Sequence, residues 1–145
     1  MHLITEHLAV GNAEDAKSPH RLMTAVLNVA AENKIDPPDG KAYAWIPFVE
    51  FTEPDPHQLD EAVAWLEQHE NGNRLLVCCR AGMGRSVSVV ISFLCLSKGM
   101  PYQEAVQLVA ARRPGATPLP DLELAIRVVE ELRQKRTSGC DAGTP

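Results

Sequence analysis

Residues 77–86 read VCCRAGMGRS, which gathers two cysteines, two arginines and two glycines at the end of a short apolar run. Gly82 and Gly84 allow the backbone to curl into a cradle. A loop of this kind leading into a helix N-terminus offers unpaired N–H groups and the positive end of the helix dipole, a ready site for an anion. Arg85 adds a planar guanidinium that can grip two phosphate oxygens at once. Cys79 would lie at the bottom of the cradle, where the dipole, the N–H groups and Arg85 all favour thiolate over thiol. That makes a nucleophile aimed at phosphorus. Ser86 can donate a hydrogen bond to the sulfur and ease its departure when a covalent phosphocysteine is hydrolysed. The expected phosphate-binding set is therefore Arg80, Ala81, Gly82, Met83, Gly84 and Arg85, with Cys79, Arg85 and Ser86 catalytic. No Lys-Ser/Thr follows the glycines, which excludes a Walker-type loop.

The flanking elements must put that loop between a strand and a helix. RLLVCC (74–79) is a short continuous apolar run, as expected for the buried centre of a parallel sheet. The segment from Gly84 to Leu96 is apolar on nearly all sides, the pattern of a helix surrounded by protein. Gly99 can close that helix in a left-handed cap, and Pro101 can open the next, over 101–113. Upstream, 2–11 reads as an opening strand or strand pair, and 18–25 as a short helix capped by Ser18 with Pro19 at its first position. Residues 25–30 and 43–50 read as strands. Leu59, Ala62, Val63 and Leu66 form one apolar face of a helix over 56–70, and Leu122, Ala125, Ile126, Val129 and Leu132 do the same over 120–136. The alternation implies an α/β fold, a mostly parallel central sheet flanked by helices on both sides. We expect one domain over 1–136 and a disordered tail over 137–145.

Bulk properties narrow the function. The 145 residues, 45% of them hydrophobic, suffice for one core and not for two ordinary domains. A net charge of −5 and a pI near 5.5 argue against a general nucleic-acid or anionic-membrane surface. The cysteines at 78, 79, 95 and 140 give neither a disulfide framework nor zinc spacing, and the five histidines show no ligand spacing, so no metal or other cofactor is expected. The N-terminus lacks a signal-peptide pattern, and the apolar stretch 87–96 is far shorter than the roughly 20 residues a membrane span needs. The expectation is a cytoplasmic monomer with no membrane or nucleic-acid partner. Arg112 and Arg113 read as charges satisfying a helix C-terminus, in preference to substrate contact, Met83 as a pocket wall, Arg80 as either solvated or part of a positive rim, and Cys95 as a small core hydrophobe.

CRAGMGRS resembles the C-x5-R-S/T signature of the protein tyrosine phosphatase superfamily, and its position mid-chain is similar to the dual-specificity group. The resemblance runs from ITEHLAVGNAEDA to ARRPGA, most of the chain. It implies cysteine-dependent hydrolysis of phosphomonoesters without a metal, on a phosphorylated protein or peptide. The family has His immediately before the nucleophile; here that position is Cys78. The family's general acid is an Asp on an upstream loop, and IPFVEFTEPDPHQL aligns Glu50 with it; Asp55 is the alternative general acid, and Glu53 shares the loop. The chain shows no clear long loop that would deepen a pocket, so the expected substrates are phosphotyrosine together with phosphoserine or phosphothreonine. Two alternatives stand beside this: a catalytically impaired phosphate-binding module, motivated by Cys78 and Glu50, and a phosphatase acting on non-protein phosphates, against which the loop's lack of extra lysines counts.

Overall fold

The computed structural model describes residues 1–142. Its elements are strands β1 (His2–Thr5) and β2 (Leu8–Gly11), helix α1 (Ala13–Lys17), strands β3 (Ala25–Ala30) and β4 (Ala42–Phe48), helix α2 (Pro56–His69), strand β5 (Leu75–Cys78), and helices α3 (Arg85–Lys98), α4 (Tyr102–Arg112) and α5 (Leu122–Ala142). One five-stranded sheet runs in the order β1-β2-β5-β3-β4. Only the β1–β2 pairing is antiparallel; β2–β5, β5–β3 and β3–β4 are parallel. The fold is thus α/β with a mostly parallel sheet, and β5 lies at its centre. Ligands of such sheets bind beyond the carboxyl ends of the strands, where β5 hands the chain to the glycine loop. None of the described helices is long and apolar enough to cross a membrane.

Strand periodicity divides the interior unequally. Successive side chains of a strand point to opposite faces. Leu75, Val77 and Cys79 join the large core formed with α2, α3, α4 and α5, while Leu76 and Cys78 join a small cluster with Ala9, Ala16, Met23 and Val26. Four helices therefore cover one face, and α1 contributes Ala16 to the other. α3 is buried over most of its length, from Arg85 to Leu94, as its all-round apolarity predicts. Gly99 closes it with φ of 69°, the left-handed cap expected from the sequence.

Two elements differ from the sequence reading. The short helix expected at 18–25 lies instead at Ala13–Lys17, and Ser18 ends it rather than starting it. Asn12 and Asp15 form a reciprocal capping box, with Asp15 N–H donating to Asn12 Oδ1 at 3.0 Å and Asn12 N–H to Asp15 Oδ2 at 2.9 Å. Residues 20–23 form a turn held by the Met23 N–H to the His20 carbonyl at 2.9 Å. At the other end, α5 continues to Ala142, through most of the stretch read as a tail, and residues 143–145 lie outside the described residues. Arg133 of α5 grips Asp60 and Glu67 of α2 at 2.9 Å each, and Arg136 reaches Asp60 at 2.7 Å, which ties the last helix to the second.

Leu66 is fully buried between the sheet and the helices, whereas Leu124 on α5 is 58% exposed. Leu66→Ala should lower the unfolding free energy by about 2–5 kcal/mol, the loss of transfer energy plus a cavity. Leu124→Ala should change it by less than about 0.5 kcal/mol. Urea unfolding monitored by far-ultraviolet dichroism measures both.

Candidate active site

The loop from Cys79 to Gly84 is held from outside by its carbonyl oxygens. Arg80 C=O accepts from Ala13 N–H at 3.1 Å, and Met83 C=O from Thr117 N–H at 2.8 Å. Gly84 C=O accepts from the Ser88 N–H at 2.9 Å and the Ser88 hydroxyl at 2.7 Å. The remaining two are taken by Arg113, whose Nη2 donates to Ala81 C=O at 3.2 Å and whose Nε donates to Gly82 C=O at 3.0 Å. A planar trans peptide directs its N–H opposite to its C=O. Five outward carbonyls thus turn the N–H groups of residues 81–85 inward. Among the described residues only one of these N–H groups meets a protein acceptor: Gly82 N–H donates to Cys79 Sγ at 3.2 Å.

The sulfur lies at the base of that ring. Cys79 is 1% exposed, and its Sγ is 3.2 Å from the Ser86 hydroxyl. Cys78, the preceding residue, faces the other side of the sheet, where burial pushes its thiol well above the usual thiol range. Gly82 is required twice over. Its φ is 71°, and a Cβ there would stand 2.8 Å from the Gly11 carbonyl oxygen.

Arg85 opens α3 and is 1% exposed, an unusual depth for a guanidinium. Nη1 and Nη2 donate to the two carboxylate oxygens of Glu32 at 2.6 and 3.0 Å, and Nη1 also donates to the Phe48 carbonyl at 3.1 Å. Glu50 Oε2 stands 3.6 Å from Nη2. Among the described residues, Nε is buried with no partner. Burial works against the charge on Arg85, but the Glu32 carboxylate more than offsets it and holds the pKa above its ordinary value. Reciprocally, the hydrogen bonds from Arg85 hold Glu32 below the usual carboxylate range. Glu32 was not singled out by the sequence. It follows β3 at the carboxyl edge of the sheet, and it meets Arg85 only because β3 is the neighbour of β5.

The loop that leaves β4 carries Glu50 and Phe51 to a cleft shared with the cradle. Glu50 lines that cleft together with Ala81, Met83 and Gly84. Asp55 has a different setting, as the N-cap of α2, where it accepts the His57 N–H at 2.8 Å. Glu53 is exposed, and the neighbouring Asp121 carboxyl pushes its pKa up. Arg113, read from sequence as a helix-end charge, instead spans two loop carbonyls; Arg112 is exposed. Met83 is 40% exposed on the cleft wall, and Arg80 is exposed at the rim, where its charge contributes to the lowering at Glu32. The structure therefore brings Cys79, Arg85, Ser86 and Glu50 together and adds Glu32, Ser88 and Arg113, which no local motif marks.

Because the N–H ring depends on a left-handed residue at 82, Gly82→Ala should weaken vanadate binding by about tenfold or more, from a strain of about 1–3 kcal/mol. Gly99→Ala, with φ of 69° and open space around it, should cost about 1 kcal/mol of stability and leave vanadate binding unchanged. Calorimetric titration and thermal unfolding of the two variants separate these effects.

Comparison with known proteins agrees with this geometry. The model of the dual specificity phosphatase catalytic domain matches residues 9–132. The chain is 33% identical over 123 residues to dual specificity protein phosphatase 1B of Arabidopsis thaliana, covering 81% of this chain and 74% of that protein. It is 29% identical over 142 residues to dual specificity protein phosphatase 1 of the same plant, covering 89% and 72%. Among solved structures, human DUSP28 superposes with a TM-score of 0.81 at 25% identity, over 94% of this chain and 99% of that one. With a family model matched along most of its length and a relative above 30% identity, the chain belongs to the dual specificity phosphatase family.

Proposed function

We propose that this protein hydrolyses phosphomonoesters of phosphorylated proteins or peptides, phosphotyrosine together with phosphoserine or phosphothreonine, through a phosphocysteine intermediate. The observation that carries the reading is the inward ring of N–H groups around Cys79 Sγ, together with an Arg85 Nε that is buried without a partner among the described residues. Those donors match the oxygens of a phosphoryl group in a site screened from water, where oriented dipoles stabilise charge strongly.

In the first step Cys79 Sγ attacks phosphorus, an S–P bond forms, and the P–O bond to the leaving group breaks. Glu50 supplies the proton to the departing oxygen. In the second step water attacks the phosphocysteine, Glu50 takes the proton from that water, and the P–S bond breaks to release inorganic phosphate. The Ser86 hydroxyl donates to the departing sulfur, supported by its 3.2 Å approach to Sγ. Arg85 stabilises charge on the transferring group, while Glu32 and the Phe48 carbonyl fix the orientation of its guanidinium. Glu50 is favoured over Asp55 because it lines the cleft and reaches the Arg85 side chain, whereas Asp55 serves the cap of α2.

A second reading, a phosphate-binding module with impaired catalysis, is favoured by the same 3.6 Å contact, which holds the acid candidate against a guanidinium. Turnover separates the two. Cys79→Ser should abolish aryl phosphate hydrolysis while vanadate still binds, and Cys78→Ala should retain activity; equal loss in both variants would show that the nucleophile is misassigned. Glu50→Gln should slow phenyl phosphate by about 10²–10⁴-fold, the usual worth of a positioned acid, and slow activated aryl phosphates much less. Asp55→Asn should leave those rates within about twofold, since Asn also caps helices well. If Asp55→Asn slows phenyl phosphate and Glu50→Gln does not, the acid role passes to Asp55. A wild type inert on every phosphomonoester would favour the binding module.

A further inference from the structure

The cradle opens on one side into an apolar cleft that phosphate chemistry alone does not need. The cleft encloses about 410 Å³ between the acid-bearing loop, with Glu50 and Phe51, and the segment Thr117–Pro120. An apolar cavity of about 150 Å³ holds a benzene ring, so this one has room for a phosphoaryl ring and a second apolar side chain beside it.

Its walls are fixed before any ligand arrives. Thr117 N–H donates to Met83 C=O at 2.8 Å, and Leu119 N–H donates to the Ser88 hydroxyl at 2.8 Å, so the far wall is bonded to the phosphate loop and to α3. Pro118 and Pro120 stiffen it on either side of Leu119. On the near wall Phe51 has φ of 63°, a left-handed conformation uncommon for a bulky residue, and the residue is 81% exposed. A strained backbone that presents an aromatic ring to solvent, beside a candidate active site, points to a contact made with substrate.

Charge selects further. Among the described residues no Lys or Arg lines the cleft, and the acidic residues Glu50, Glu53 and Asp121 lie on its wall or on the two segments that border it. An acidic neighbour of the phosphorylated residue would meet like charge there, and an apolar one would meet Phe51, Met83, Leu119 and the prolines.

We infer that the Phe51–Leu119 cleft is a second subsite that selects phosphotyrosine segments carrying an apolar residue next to the phosphotyrosine and rejects those carrying an acidic one. The inference rests on the phosphate-site reading above. It is tested by binding, so that it does not depend on turnover.

Phosphotyrosine peptides with Leu, Ala or Glu at each adjacent position are titrated against the Cys79→Ser protein. Leu at one of the two positions should bind about tenfold more tightly than Glu, the worth of burying a modest apolar side chain. Adding Phe51→Ala, a change at an exposed side chain that the core does not need, should reduce that preference to about twofold or less. Equal binding of the Leu and Glu peptides would overturn the inference, as would a preference that survives Phe51→Ala, or tighter binding to vesicles containing a phosphoinositide than to any peptide. Phenyl phosphate turnover by the wild-type protein is measured separately. Its absence would remove the hydrolase reading while the peptide preference stood.

Discussion

A peptide unit cannot turn its C=O outward without turning its N–H inward, and the candidate site is built on that constraint. Between Arg80 and Gly84 every carbonyl has a donor waiting on the outside, from α1, α3, the end of α4 or the segment after it. Arg113 supplies two of those donors from one rigid fork. The concave face therefore fills with N–H groups without any basic side chain having to be buried there except Arg85. Arg85 itself can be buried because Glu32 meets it with two oxygens and Phe48 with a third. A buried guanidinium without such partners would be costly. Elements far apart along the chain thus converge on six residues, and the parallel sheet is the frame that lets them do so.

What could be read from the sequence follows from how local each feature is. Cys79, Gly82, Gly84, Arg85 and Ser86 are consecutive or nearly so, so their relation survives whatever the rest of the chain does. The strand before them and the helix after them show in apolar runs, and α2 shows in the spacing of Leu59, Ala62, Val63 and Leu66. Glu50 came from likeness to a family pattern rather than from spacing. Glu32 and Arg113 are different. Each is an ordinary charged residue near the end of an element, and its role depends on strand order and on where α4 stops, which no local pattern specifies.

The misplaced first helix has a similar cause. Ser18-Pro19 fits a helix start, but Asn12 and Asp15 form a reciprocal box six residues earlier, and that box also holds α1 beside the loop, where Ala13 donates to Arg80. The N-x-x-D spacing was available in the sequence. It competed with a proline signal that turned out to mark the chain's exit from the helix. At the other terminus α5 runs through a lone Gly139, which costs about 1 kcal/mol in a helix interior and does not by itself stop one.

The alternation of β5 has a consequence for the adjacent sulfurs. Cys78 and Cys79 are joined by a single peptide bond, yet one belongs to the small cluster with Met23 and Val26 and the other to the large core beneath the loop. The sheet acts as a partition between them. Whatever side chain stands at 78 influences the phosphate loop through the shared backbone and through how well it packs under α1, not by touching the sulfur at 79. A substitution at position 78 is therefore felt first in the packing under α1, while one at position 79 is felt on the far side of the partition.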